Sequence, residues 1–451
     1  MSRLEERYQA ILAELPEAKK SRWNLGASET KDEHSHLSSN VVNLILEEAV
    51  LEHASDIHIE PSNKYLKVRY RIDGLLEDVL HLEEGSFLNI LGRIKIMAGM
   101  EPDAMAKRKS QDGRFSAQFG VSSYDFRLST FPTVSGEKMA IRILEGNASI
   151  YQLSRLGVDP YDLKNLEKAL NLKSGLMLIC GPTGSGKTTT LYALINHLNT
   201  PENNIVTLED PVEYRIEGMN QCDIESKSGM GFAEGLRSIL RQDPDIILVG
   251  EIRDKETADV ALRAAITGHM VFSSVHATSA IGTIIRLTNM GLDHFLVSFA
   301  LSAAISQRLV RQICEHCKTA HHINSEQAQK IKLHYHFDVN LLRPHQDIQQ
   351  EEVSYVDLKS KAGPQDIILY KGKGCENCRG TGYKNRVAIF EIVFFGQELR
   401  EAILRKATTG ELQKIVIQNG GRTLAMDAIE KVKNGMTTLE EIYPILIESQ
   451  K

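Results

Sequence analysis

Leu176-Met177-Leu178-Ile179-Cys180, followed directly by Gly181-Pro182-Thr183-Gly184-Ser185-Gly186-Lys187-Thr188, is the stretch that organises this 451-residue chain. The apolar run reads as a short buried strand. The next eight residues fit G-x-x-x-x-G-K-[ST], and Thr189-Thr190-Leu191-Tyr192-Ala193-Leu194-Ile195 reads as the first turns of a helix. A strand, a glycine loop and a helix in that order form a cradle for phosphate. Glycines let backbone N–H groups curl around an anion without Cβ clashes, and the helix N-terminus adds partial positive charge. Lys187 is placed to reach the β- and γ-phosphates of a nucleotide, and the Thr188 hydroxyl to hold Mg²⁺. Gly181, Pro182, Thr183, Gly184, Ser185, Gly186, Lys187, Thr188 and Thr189 are thus the candidate nucleotide-binding set. A glycine-rich turn matching by chance is the competing reading.

Three later stretches supply what such a loop lacks. Val206-Thr207-Leu208-Glu209-Asp210-Pro211-Val212-Glu213-Tyr214 is a strand running into acidic residues suited to positioning water or metal. Asp245-Ile246-Ile247-Leu248-Val249-Gly250-Glu251 is an apolar strand delivering a carboxylate at its end. There Glu251 can polarise an attacking water. Thr267-Gly268-His269-Met270-Val271-Phe272-Ser273-Ser274-Val275-His276 is a strand ending in a histidine that can hydrogen-bond a γ-phosphate. Each is weak alone, because strand ends are often acidic and histidines often structural. Their spacing behind the glycine loop is that of successive strand ends in one parallel sheet, the edge where ligands bind.

Composition bounds the rest. With 42% hydrophobic and 25% charged residues the chain can build two or three cores, and its net charge of -6 argues against a protein devoted to nucleic acid. No apolar run is long enough to span a bilayer, and Met1 to Lys20, charged in both signs, is no signal peptide. The expectation is a cytoplasmic protein that meets any membrane through partners.

Residues 1–36 read as a helical leader and a polar linker, Glu29 to His36. A helix is expected to start near Ser38-Ser39-Asn40. Alternation then marks strands at Ser55 to Pro61, Lys64 to Tyr70, Gly113 to Phe119 and Tyr124 to Thr130, with a hairpin turn at Asp73-Gly74. Residues 37–148 are read as a small α+β domain. Arg114 and Arg127 fall beside a turn or on a strand of it. From spacing alone, arginines on an exposed strand face are usually just solvated, and a group aimed at a neighbour is the lesser reading.

After Arg311 come two pairs, Cys314-Glu315-His316-Cys317 and Cys375-Glu376-Asn377-Cys378. Two C-x-x-C pairs in a chain expected to be cytoplasmic read as a tetrahedral Cys₄ zinc site, closed and structural, with free core thiols as the alternative. Residues 313–385 are assigned to this element. The insert His336 to Gln365 is polar and irregular. Gln397 to Ile447 has helical periodicity, with breaks expected at Gly410, Gly420-Gly421 and Gly435, so 386–451 is read as a helical subdomain.

Taken together, the four nucleotide-domain stretches resemble the Walker A, Asp box, Walker B and His box of the type II secretion and type IV pilus assembly ATPases, in that family's order. The likeness extends to Ala54-Ser55-Asp56-Ile57-His58-Ile59-Glu60-Pro61, Arg69-Tyr70-Arg71-Ile72-Asp73-Gly74, Leu240-Arg241-Gln242-Asp243-Pro244-Asp245, the cysteine pairs and Gly435-Met436-Thr437-Thr438-Leu439-Glu440-Glu441. It covers roughly residues 38–445. The resemblance implies an α/β fold with a RecA-like P-loop ATPase core over residues 149–312, in a homo-hexameric motor that uses ATP, Mg²⁺ and Zn²⁺. It implies that ATP lies between the core and the smaller N-terminal domain, and that Arg114 and Arg127 meet the γ-phosphate. Glu251 matches the catalytic glutamate, Glu209 and Glu213 the Asp box, and His269 and His276 the His box. Cys314, Cys317, Cys375 and Cys378 match the zinc ligands.

The implied partners are an inner-membrane platform protein and assembly proteins on its cytoplasmic side, with hydrolysis coupled to rotation of the two domains. Two departures stand out. Only a short leader precedes the first shared block, and His276-Ala277-Thr278 stands where the family usually has His-Thr-Asn. The rival readings are a nucleic-acid translocase on the same core, a non-hydrolysing switch, and a pilus-retraction motor. Retraction members resemble this core but lack the tetracysteine element.

Overall fold

The computed structural model describes residues 3–13, 31–62, 64–83, 87–102, 109–145, 152–224, 230–323 and 367–448. Parts of the leader and linker, and the insert His336 to Gln365, lie outside them. The chain divides into two compact units, Met1–Asn147 and Ala148–Lys451.

The first unit opens with helices α1 (Arg3–Ala13) and α2 (Lys31–Leu51). Six antiparallel strands follow: β1 (Asp56–Pro61), β2 (Tyr65–Ile72), β3 (Leu75–Glu83), β4 (Gln111–Phe119), β5 (Ser122–Thr133) and β6 (Gly136–Glu145), in the order β3-β2-β1-β6-β5-β4, with α3 (Phe87–Met97) between β3 and β4. Helix α2 starts seven residues or more before the expected Ser38-Ser39-Asn40 cap, so these three residues lie inside it. Leu37, Val41, Val42, Ile45, Leu46 and Ala49 bury its apolar face, and that packing outweighs the weak helix propensity of Ser and Asn. The hairpin turn falls where expected: Asp73 and Gly74 both take positive φ, 49° and 90°, as a two-residue turn between twisted strands requires.

One row across this sheet carries unusual charge. Arg114 pairs with Arg127, Arg127 with Arg142, Arg142 with Asp56, and Asp56 with Arg71. Directly opposed residues share a face, and like charges there repel. Asp56 offsets this at one end, 3.3 Å from Arg142 Nε and 3.7 Å from Arg71 Nε.

The second unit is a seven-stranded sheet in the order β15-β12-β7-β11-β10-β8-β9. Its strands are β7 (Gly175–Cys180), β8 (Ile205–Glu209), β9 (Asn220–Asp223), β10 (Ile246–Glu251), β11 (Met270–Val275), β12 (Leu301–Ile313) and β15 (Tyr383–Phe394); β13 (Lys318–Ile323) and β14 (Ile367–Gly372) form a separate ribbon. All neighbours in the large sheet are parallel except β12 and β15. Helices α4 (Pro160–Leu170) and α5 (Lys187–His197) cover one face. Helices α6 (Phe232–Ile239), α7 (Lys255–Ile266), α8 (Gly282–Asn289) and α9 (His294–Ala300) cover the other. Every residue of β7 and β11 is therefore buried, and along β7 successive side chains feed opposite cores: Leu176, Leu178 and Cys180 one, Met177 and Ile179 the other.

The carboxyl-terminal part departs from the sequence reading. Strand β15 runs across the expected boundary at 385–386 and completes the main sheet, because its apolar residues Ala388, Phe390 and Ile392 belong to the central core. Helices α10 (Gln397–Leu404) and α11 (Thr409–Gln418) pack on that sheet through Leu399, Ile403, Leu412 and Val416. Helices α12 (Leu424–Lys433) and α13 (Leu439–Glu448) form a different cluster with Val310, Ile367 and Ile389. The tail is thus two helix pairs on different surfaces of the sheet. Gly410 breaks nothing. It lies inside α11, whose start is fixed by the Thr408–Glu411 capping box.

Candidate active site

The parallel register brings the motifs to one edge. Val275 lies opposite Cys180, Glu251 opposite Ser274, and Val249 opposite Leu208, so the ends of β7, β8, β10 and β11 are level. The glycine loop follows the first of these ends. Gly181, Gly184 and Gly186 take φ of 149°, 77° and 86°. At two of them there is no room for a side chain: a Cβ on Gly181 would stand 2.5 Å from the Gln307 carbonyl oxygen, and one on Gly186 2.8 Å from Gln307 Nε2.

Gly186 caps α5, leaving that helix's first N–H groups for an anion. Pro182, Thr183, Gly184 and Thr188 are exposed at the rim; Lys187 and Thr189 are half-buried. Lys187 Nζ donates to the carbonyls of Gly181, at 3.0 Å, and Pro182, at 2.9 Å. Burial pushes this amine below its ordinary pKa, while Glu251 opposes that shift. The Ser185 hydroxyl is buried with no hydrogen-bond partner, an orphaned polar atom inside the cradle. A glycine cradle without room for Cβ, a lysine turned in on its own loop and an orphaned hydroxyl together fit a triphosphate. Thr188, exposed at the second position of α5, is the side chain suited to hold Mg²⁺.

Glu251 ends β10 at a bulge between Val249 and Glu251, and Ser274 Oγ fixes that bulge by donating to Gly250 O at 2.7 Å. A bulge re-aims the side chain that follows it. His276 Nε2 lies 3.2 Å from one Glu251 oxygen, and the Arg253 guanidinium binds the other. Arg253 also approaches Asp210 at 3.8 Å.

The two Asp-box glutamates are held differently. Glu209 is 4% exposed; Thr207 Oγ1 donates to it at 2.6 Å and Tyr192 OH at 2.5 Å. Burial pushes its carboxyl above the ordinary range, against the pull of those hydroxyls. The same Tyr192 oxygen accepts from the Glu213 backbone N–H at 3.2 Å, so one residue of α5 ties down both. Glu209 therefore lies behind the edge, bonded to Tyr192 and Thr207, and does not present its carboxylate to solvent.

His269 does not join the site. It precedes β11, and its carbonyl accepts from Gly175 N at the start of β7. That is the opposite edge, about 20 Å away across a six-residue strand. Its Nδ1 lies 3.0 Å from Ala264 O, closing α7 onto the sheet. The expectation that both histidines serve one site is corrected here: strand β11 lies between them.

Sequence reading missed Gln307, Tyr192 and Arg253. The sequence carried little signal for Gln307, because it lies among Ser306, Arg308, Arg311 and Gln312 in a stretch of mixed polarity.

A four-cysteine cluster lies beyond the ends of β12 and β14. The Sγ atoms of Cys314, Cys317, Cys375 and Cys378 lie within 4.8 Å of one another, with 3.9 Å between Cys314 and Cys375 and 3.8 Å between Cys317 and Cys378. A tetrahedron of about 2.3 Å Zn–S bonds requires sulfurs about 3.8 Å apart, so the four thiols fit zinc. Burial works against a thiolate at Cys378. N–H donors from Cys375 at 3.2 Å and Gly382 at 3.3 Å, with the neighbouring thiols, nevertheless lower its pKa to about 6.

The family model for "Type II/IV secretion system protein" matches residues 30–444. The chain is 41% identical over 407 residues to the "Type IV pilus assembly ATPase PilB" of Thermus thermophilus, covering 90% of this chain but 43% of that protein. It is 40% identical to the "Putative type II secretion system protein E" of Escherichia coli, covering 90% of this chain and 76% of that one. Among solved structures, the pilus retraction motor PilT with bound ADP superposes with a TM-score of 0.58 at 26% identity, covering 88% of this chain and 94% of that one. The Legionella pneumophila ATPase DotB superposes at 0.64 with 20% identity, covering 95% and 100%, and speaks to the fold alone.

Proposed function

Because the chain belongs to the type II/IV secretion system protein family, we propose that it is a motor that hydrolyses ATP to drive assembly of a type IV pilus or a type II secretion pseudopilus. It works as a homo-hexamer in the cytoplasm, held at the inner membrane by a platform protein. Among the described residues no helix is long and apolar enough to cross a membrane. The tetracysteine cluster favours assembly over retraction.

The observation that carries the reading is Glu251, set on a bulge at the level of the glycine loop and held between His276 and Arg253. Lys187 and the α5 N-terminus bind the phosphates. Glu251 accepts the proton of the attacking water and keeps its orientation through its two partners. His276, exposed at the end of β11, reaches the terminal phosphate from the same side. Mg²⁺ held by Thr188 would supply charge neutralisation to the phosphates. From the first unit, the reading takes Arg114 and Arg127 as the cations that meet the γ-phosphate. Three arginines in one cross-strand row repel each other, so an anion gains by binding them.

Phosphate release by Glu251→Gln tests the reading. The variant is expected to bind ATP as the wild type does and to lose turnover by about 10²–10⁴-fold. Hydrolysis near the wild-type rate rejects Glu251 as the base. Arg127→Ala is expected to lose about 10³-fold or more in kcat with unchanged thermal stability. A kcat within threefold of wild type removes the arginine from the mechanism.

A further inference from the structure

Beside the glycine loop, strand β12 carries two large polar residues, Gln307 and Arg308, that are almost wholly buried. Gln307 is 3% exposed and Arg308 8%. Ser306 lies opposite Cys180, the last residue of β7, so Gln307 stands level with Gly181. Each polar group of Gln307 bears on the loop or its helix. The main-chain carbonyl abuts Gly181, and Nε2 abuts Gly186. Oε1 accepts a 2.6 Å hydrogen bond from Thr190 Oγ1, one turn into α5. Arg308 continues the contact in the other direction. Its guanidinium donates to the Gln307 carbonyl at 3.1 Å and to the Thr278 carbonyl at 2.9 Å, and it pairs with Glu448 at 3.0 Å. Thr278 is two residues beyond His276, and Ser306 Oγ donates to its carbonyl as well, at 3.3 Å.

One cation therefore bridges two carbonyls, one pressed against the phosphate loop and one in the loop after the His276 strand. Arg308 is largely buried, and low dielectric strengthens such charge-assisted bonds.

We propose that Gln307 is a positioning residue of the nucleotide site: anchored by Thr190 and backed by Arg308, it fixes the glycine loop and clips it to the loop carrying His276. The nucleotide cradle and the histidine then move as one body. Because Glu448 ends the last described helix and holds Arg308, α13 is attached to that body too.

The inference rests on the ATP site proposed above. Gln307→Met keeps the volume and removes the amide. It is expected to raise the KM for ATP about tenfold, the effect of one buried hydrogen bond, with kcat changed less than threefold and a melting temperature lowered by only a few degrees. Thr190→Val is expected to match it, Thr190→Ser to restore the wild-type KM, and Thr190→Val/Gln307→Met to be no worse than either single variant. A wild-type KM in Gln307→Met, or effects that multiply in the double variant, overturns the proposal. If Gln307→Met misfolds, the Thr190→Val and Thr190→Ser pair decides: equal KM values for the two overturn it. Wild-type protein that neither binds nor hydrolyses ATP would instead sink the ATPase reading.

Discussion

The two edges of the parallel sheet are built from similar residues and serve opposite ends. At one edge the strands finish in Cys180, Glu209, Glu251 and Val275, and the chain continues into loops rich in glycine, acids and histidine. At the other, Gly175, Ile205, Ile246 and Met270 begin the strands, and the polar groups there close on the backbone. Asp245 accepts from Asn204 N at 2.7 Å, and His269 sits against Ala264 O. At the starting edge, side chains mend the backbone where helices turn into strands. At the finishing edge some polar side chains are left for a ligand.

The histidine pair is the sharpest way to break that contrast. His276→Ala is expected to lower kcat by about 10²-fold, as loss of a hydrogen-bonding partner of the base would. His269→Ala, at the other edge, is expected to stay within threefold of wild-type kcat and to lower the melting temperature by a few degrees. Equal losses of kcat in both variants would falsify the separation.

The contrast sharpens further from the edge. Treatment with a zinc chelator, or Cys375→Ser, is expected to lower the melting temperature by about 5–10 °C, because zinc held by the four thiols would join the chain before β13 to the chain after β14. Metal-free protein with the wild-type melting temperature would remove zinc from the fold.

The smallest effect concerns Glu209, which belongs to the active edge by position but is buried. Its pKa is raised in the fold, so the folded state keeps its proton to higher pH than the unfolded chain does. The associated stability is complete below the unfolded value, near 4.5, and is lost as pH rises through the folded value. Glu209→Gln is expected to flatten that part of the curve of melting temperature against pH. Some slope remains from Glu391, whose pKa burial raises in the same way. An unchanged curve contradicts the burial of Glu209.

The glycine loop was legible because its requirements are local: φ values only glycine takes readily, and a helix N-terminus one residue on. Strand ends and cysteine pairs were legible for the same reason. The α2 start was missed because a packed face, not a cap, sets the extent of that helix. The β15 boundary was missed because a strand's place in a sheet depends on a partner seventy or more residues away.

The sequence by itself determined the motifs, their order and the residue chemistry of the site: a phosphate loop, an acid at a strand end, four thiols. Only the tertiary structure decided that Glu209 is buried behind the edge, which of two histidines shares an edge with the loop, and that Gln307 and Tyr192 brace it. Those outcomes depend on strand direction, register and burial. They are properties of chain segments brought together, and no local stretch encodes them alone.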